Sequence, residues 1–560
     1  MKAFNSFLVM LLATFSIQTF AYDFEVDGIQ YTITSLTDLT VQVDGMSDKT
    51  VSSVIIPNAV EYKSKSLTVL SIGNNAFNNM QNLEEVIIPN SISSIGSRAF
   101  KNATSLKSIL LPDNLQTLGS EVFSGCISLQ SIVVPDGITA IPKQTFFNCT
   151  ALESIVIGKN VKKLYDYCFA GTAIECIDLP HSLTYLGESA FSNSNIESVI
   201  LPEGIEVVSK YCFANCSKLK KFTGSPTTID KCAFDNCSSL SEINLTGELE
   251  TIGDYAFSGC NSLEEFTIPN SVTNIEPNIL WECPNLKKLT IGSGLMRLPV
   301  YAEHGYNPTS YGYSTLGGYY HYTSQQGIYG PYITDITYLT GLKQVIINDS
   351  PEKFSIRGFQ VNDNTTTPAF ANLDIDYYYV GRPLIDIRSW SSDRGSTGFT
   401  VKVNQGYGHI SKLEISGECT TVPYFYQKID TLVLGKKISC LDTYNIYMDN
   451  LKEIYCCAST PPSVYGSFPT NICVDATLYV PSGCKPLYGK AEGWENFWNI
   501  EEMDANAMSI EVINDEKHSE HNINIYDLTG RLIKALQNSE ELNTLPRGIY
   551  IVNGKKVVVK

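Results

Sequence analysis

The sequence predicts an α/β solenoid, built from short strands and tight helical or 3₁₀ corners, followed by a small antiparallel β domain. Three observations predict it. Phenylalanine recurs at 77, 100, 123, 146, 169, 191, 213, 234 and 257, with gaps of 23, 23, 23, 23, 22, 22, 21 and 23, and Leu280 continues the series at 23. The units between these positions share one apolar pattern with a proline stop. The last fifty or so residues instead alternate apolar and polar with period two.

Composition bounds the rest. The chain has 560 residues, of which 43% are hydrophobic and 18% charged, ample material for a core. Length alone suggests three to four domains at about 150 residues each, but a repeat turns most of that length into one elongated body. The net charge of −18 argues against a phosphate-backbone partner and against anionic membrane surfaces. Six histidines leave few general bases or metal ligands.

From the start of the chain, residues 1–21 carry Lys2, an apolar stretch Phe7–Phe15 and small residues at Thr19 and Ala21. That is the layout of a signal peptide cleaved after Ala21. That apolar run is too short to span a bilayer by itself and the rest of the chain has no apolar run of about 18 residues, so integral membrane insertion is not expected. Residues 22–50 read as strands capping the start of the solenoid.

Residues 51–298 hold the regular units. One runs Leu83, Val86, Ile88, Pro89, Ile92, Ile95, Gly96, Ala99, Phe100, Ala103, and the next Leu106, Ile109, Leu111, Pro112, Leu115, Leu118, Gly119, Val122, Phe123, Cys126. Val86 and Ile88 alternate as an inward-facing strand. Pro89 ends it, having no N–H to give. Gly96 supplies a backbone conformation suited to a turn, and Ala99-Phe100 begins a helical or 3₁₀ corner. One unit cannot enclose its own apolar face, so stability comes from stacking on neighbours. This pattern resembles the BspA-type leucine-rich repeats found on bacterial surfaces. The resemblance implies a surface protein of Bacteroidetes that binds other macromolecules and takes part in adhesion.

Residues 299–338 interrupt the series with ten tyrosines among many Gly and Ser, which we read as an excursion from the coil. Weaker units resume in residues 339–502, at Leu342–Ile347, Leu413–Ile415, Leu432–Leu434 and Leu451–Ile454. The segment from Thr477 to Phe497 resembles the closing cap of the same family. After a linker at 503–508, residues 509–560 show strands at Ser509–Ile513, Ile523–Tyr526, Gly548–Val552 and Lys556–Lys560. Tyr526–Arg531, Leu545–Tyr550 and the closing lysines resemble the sorting domain of the type IX secretion system. That resemblance implies passage across the outer membrane and release or attachment at the surface, with the periplasm as the fallback location.

Cysteine is frequent at 16. Six recur three residues after the ladder position: Cys126, Cys149, Cys216, Cys237, Cys260 and Cys283. Parallel side chains about 4.8 Å apart suit a column of buried free thiols better than disulfides. Disulfides are better placed at Cys456, Cys457, Cys473 and Cys484. No catalytic motif appears, and no metal site or cofactor is expected. An enzyme reading is left only residues 350–410, where Asp374, Asp376, Asp386 and Asp393 supply acids but nothing fixes their geometry.

Two groups are candidate binding residues. The outward strand position reads Ile87, Leu110, Val133, Val156, Asp178, Ile200 and then Thr223, Asn244, Thr267, Thr290. The first part forms an apolar stripe about 24 Å long at about 4.8 Å per coil. It is a binding surface unless β-branched residues sit there only because strands favour them, or another segment of the chain covers the stripe. The second group is Tyr311, Tyr313, Tyr319, Tyr320 and Tyr322 of the insertion, amphipathic side chains of the kind binding loops use. The expected partners are extracellular or surface proteins, of host or bacterial origin, with glycans as the alternative. The expected protein is a monomer and not an enzyme, and binds no nucleic acid.

Overall fold

The computed structural model describes residues 22–295 (except 277), 339–352 (except 340), 373–384 and 408–503 (except 424 and 426), together with the backbone of several short strands elsewhere. The expected signal peptide and the strand at 509–513 lie outside the described residues.

The chain enters through antiparallel strands Phe24–Val26, Ile29–Ser35 and Thr40–Met46, the last pairing in parallel with Lys65–Ile72. From there most coils repeat two short parallel ladders. The first carries the inward pair, as in Ser131–Val133 beside Ser154–Val156, with Ile132 and Ile155 turned inward. The second is only two residues wide, from Ser94–Ile95 to Asn274–Ile275. The core is one continuous column between them, with every ladder phenylalanine fully buried. Adjacent rings from Phe77 to Phe257 stack with centroids 5.2–5.6 Å apart and planes within 20°.

The corners differ from expectation. They are hydrogen-bonded turns, and little of the described chain is helical: Thr470–Asp475, Lys485–Tyr488 and the 3₁₀ turn Thr443–Asn445. The fold is therefore a β-solenoid rather than an α/β one. The cause is local. The residues two before and two after each phenylalanine have positive φ, as at Arg98 (61°) and Asn102 (57°) around Phe100. A left-handed residue stops an α-helix from propagating. The amides of Arg98, Phe100 and Asn102 then donate to Ser120, Val122 and Ser124 of the next coil, at 2.9, 2.9 and 2.8 Å. The position two after each phenylalanine is Asn or Gly from Asn79 to Gly259, the residues that tolerate this conformation best.

Gly96 also acts otherwise than expected. It does not have positive φ. A Cβ there would lie 2.6 Å from the Asn74 amide nitrogen, and at Gly119 only 2.3 Å from that of Ser97. The glycine is needed because coils approach closely at this point.

Across the insertion the ladder continues in register, Lys288 opposite Gln344 and Ile291 opposite Ile347. Arg382 is fully buried and donates to the carbonyls of Ser293 at 2.8 Å, Gly292 at 3.2 Å and Leu295 at 2.5 Å, tying the later coils to the loop where the insertion departs. Asp374–Val380 is a ladder strand between Gln344–Ile347 and His409–Ile415. This places Asp374 and Asp376 in a repeat, against the reading of 350–410 as a separate catalytic region; Asp386 and Asp393 lie outside the described residues. Among the described residues the last strand of the ladder is Asn499–Met503. There Trp494 is fully buried, its indole N–H donating to the Pro462 carbonyl at 2.7 Å. In the tail, Ile523–Tyr526, Leu532–Leu536, Gly548–Val552 and Lys555–Val559 pair antiparallel.

Candidate functional site

The candidate surface is built by strand alternation. In Glu85–Ile87 the valine points inward and Ile87 outward, and each later coil stacks its equivalent residue beside the last. Register fixes the column: Ile55 is opposite Ile87, Val133 opposite Val156, and a bridge from Ser108 to Ser131 sets Leu110 beside Val133. All five sequence-predicted stripe residues are exposed, Ile87 at 47%, Leu110 at 79%, Val133 at 53%, Val156 at 57% and Ile200 at 74%. Ile55, at 65%, extends the row by one coil. Sequence reading missed it, although Val54-Ile55-Ile56-Pro57 repeats the apolar order of Val86-Ile87-Ile88-Pro89. Scattered exposed aliphatics are ordinary, but six in one row across seven coils are not.

The column is interrupted once, by the exposed carboxylate of Asp178. On its entry side stand the exposed hydroxyls of Ser108, Ser131, Ser154 and Ser198. Beyond Ile200 the same row turns polar, with Thr223 opposite Asn244 and Thr267 opposite Thr290. It later becomes aromatic. Tyr455 and Tyr479 stack at 4.5 Å, the Tyr379 hydroxyl donates to Asp349 at 2.6 Å, and that of Tyr455 to Glu453 at 3.3 Å.

Of the predicted tyrosines, Tyr311, Tyr313 and Tyr322 lie outside the described residues. Tyr319 and Tyr320 lie on Tyr319–His321, which pairs antiparallel with Tyr332–Thr334 as a hairpin within the insertion.

The cysteine column is structural in geometry. Cys126, Cys149, Cys216, Cys237, Cys260 and Cys283 are buried thiols, each donating to the carbonyl of the preceding coil's ladder phenylalanine at 3.0–3.4 Å. Burial pushes the Cys126 and Cys283 thiols up to about 12 and Cys216 to about 11, so they stay protonated donors and poor nucleophiles. Cys456, Cys457, Cys473 and Cys484 are thiols too, unlike the disulfides thought better placed there. Among the described residues no cluster of three His, Cys, Asp or Glu side chains is arranged to hold a metal ion. Among them, also, no helix is long and apolar enough to cross a membrane.

Two stacked ladders per coil and a repeat of about 23 residues define a leucine-rich-repeat type of solenoid. In agreement, residues 70–197 and 184–305 match the BspA type leucine rich repeat region. No curated protein matches the chain. Among solved structures, a leucine-rich repeat protein of Bacteroides ovatus is 27% identical, covering 49% of this chain and 90% of its own, with a TM-score of 0.33. A leucine rich cell surface protein of Faecalibacterium prausnitzii is 22% identical, with coverages of 49% and 90% and a TM-score of 0.33. The pneumococcal vaccine antigen PcpA is 20% identical, with coverages of 63% and 93% and a TM-score of 0.41.

Proposed function

We propose that this protein is a secreted cell-surface scaffold that binds other proteins through its apolar stripe and so mediates adhesion to host matrix, host cells or other bacteria. The observation that carries this reading is the exposed column from Ile55 to Ile200. Burying such a column yields roughly 25 cal/mol per Å² of apolar surface, and rigid strands present it at little entropic cost. The N-terminal sequence layout supports export, and the antiparallel tail, with its resemblance to sorting domains, supports delivery to the surface. The repeat match supports a binding scaffold rather than an enzyme.

The test is capture of extracellular matrix proteins and surface proteins of co-resident bacteria by the full chain and by an Ile87→Ser, Leu110→Ser, Val133→Ser variant. The reading expects capture to be lost while circular dichroism is unchanged. Equal capture by a folded variant removes the stripe from the account. A carbohydrate-binding role is the second reading, favoured by tyrosines with carboxylate-anchored hydroxyls, Tyr379 and Tyr455, on the later coils. A glycan array separates the two: strong polysaccharide binding that the serine variant retains favours the second.

A further inference from the structure

We infer that the stripe takes a basic amphipathic α-helix lying along the solenoid axis; this rests on the reading that the stripe is where a partner docks. Two independent features select that partner, spacing and charge.

The spacing argument compares repeats. Stripe residues recur about every 4.8 Å, the distance between paired strands. An α-helix offers one apolar position per turn of about 5.4 Å. An extended strand offers same-face residues only every 6.6–6.8 Å or so. Over the five steps from Ile87 to Ile200 a helix drifts out of step by about 3 Å, which side-chain rotamers absorb, whereas a strand drifts by about 9 Å, two whole coils. A helix of roughly 18 residues therefore covers the row with about one side chain per coil, apolar at every coil but that of Asp178.

The charge argument concerns the edges. Four carboxylates around the stripe are neutralised by neighbouring lysines: Glu84 by Lys107 at 3.2 Å, Asp136 by Lys159 at 2.8 Å, Glu175 by Lys218 at 3.0 Å and Glu197 by Lys220 at 2.9 Å. Five others, Glu85, Asp113, Glu153, Asp178 and Glu203, are exposed and have no ion-pair partner among the described residues. Glu85 and Glu153 lie on the entry side, Asp113 and Glu203 on the exit side, and Asp178 is in the row itself. A helix with lysines or arginines flanking its apolar face meets both edges. Asp178 adds register. Covering it with an apolar or acidic group strands a desolvated carboxylate, so the turn seated between Val156 and Ile200 must carry a cation. A second copy of this chain fails the same requirement, because its own stripe carries the same carboxylates.

The experiment is fluorescence anisotropy with the full chain and three labelled peptides of about 18 residues. One is a leucine/lysine amphipathic helix, one has its composition in scrambled order, and one has glutamate for lysine. The expected result is that the basic helix binds about tenfold or more tighter than either other peptide and weakens as salt rises. Leu110→Ser with Ile200→Ser should cost about tenfold, and Asp178→Lys several-fold more than Asp178→Asn. Basic-helix binding no tighter than scrambled, or indifferent to the stripe substitutions, overturns the proposal. Tightest binding of the acidic helix, lost in the Leu110→Ser, Ile200→Ser variant, overturns the partner's charge yet leaves the stripe as the docking surface. Failure of all three peptides overturns the helix, and the serine-variant capture experiment then decides the stripe by itself.

Discussion

At the scale of single residues, each repeat position has one physical task. Phe123 fills the corner, stacked 5.6 Å from both Phe100 and Phe146 with no exposed surface. Phe123→Ala should therefore cost about 3–5 kcal/mol in denaturant unfolding, as for other buried phenylalanines. A loss below about 1 kcal/mol would mean the ring is not part of the core. Cysteine three residues on is small enough for the column and gives its S–H to a carbonyl of the preceding coil. Of the sixteen thiols only Cys176 is exposed and Cys440 half-exposed. A thiol titration should thus find one or two reactive groups in the native protein and all sixteen after unfolding. Near-zero reactivity in denaturant would show disulfides instead.

At the scale of the coil, the phenylalanine ladder and the inward strand pairs were legible because each is a periodic apolar signal. The left-handed corners were harder. Asn or Gly two residues after each phenylalanine is a usable cue, but two residues before it Tyr167, Cys232 and Tyr255 have the same positive φ with no preference for it. The stacked amides impose that conformation, and they are a property of two coils together. Asp374–Val380 is hard to read in sequence because its buried residues Ile375, Tyr378 and Val380 are spaced three and then two apart, which breaks the period, and two of its three consecutive tyrosines face away from the core. Leu532–Leu536 reads Leu-Ile-Lys-Ala-Leu, which does not alternate, so period two gives no cue to that strand.

Neighbouring coils are also linked by charge. Arg98 and Lys101 reach Glu121 of the next coil at 2.7 and 2.6 Å, and their hydrogen bonds hold its carboxyl down at about 2. A carboxyl with a folded pKa below its unfolded one stabilises fully above the unfolded value, about 4.5, and loses that contribution as pH falls through about 2. The stability gap between wild type and Glu121→Gln should accordingly be constant near neutrality and close as pH drops from about 5 to about 2. A gap that does not change with pH would mean the link contributes packing only.

At the scale of the molecule, the solenoid is a ruler that converts a residue pattern into a surface. The stripe was legible in sequence because a fixed period assigns each outward position, and the structure lengthened it to Ile55. Its chemistry becomes specific only in three dimensions, where unpaired carboxylates from separate coils border one apolar row. Cys176 lies two residues before Asp178 on the same outward face, an exposed reporter beside the stripe. The most direct test is the alkylation rate of Cys176, read by peptide mass spectrometry, with and without the extracellular protein that the full chain captures. Docking on the stripe predicts that the bound partner slows alkylation of Cys176 severalfold or more, whereas an unchanged rate at saturating partner would contradict it.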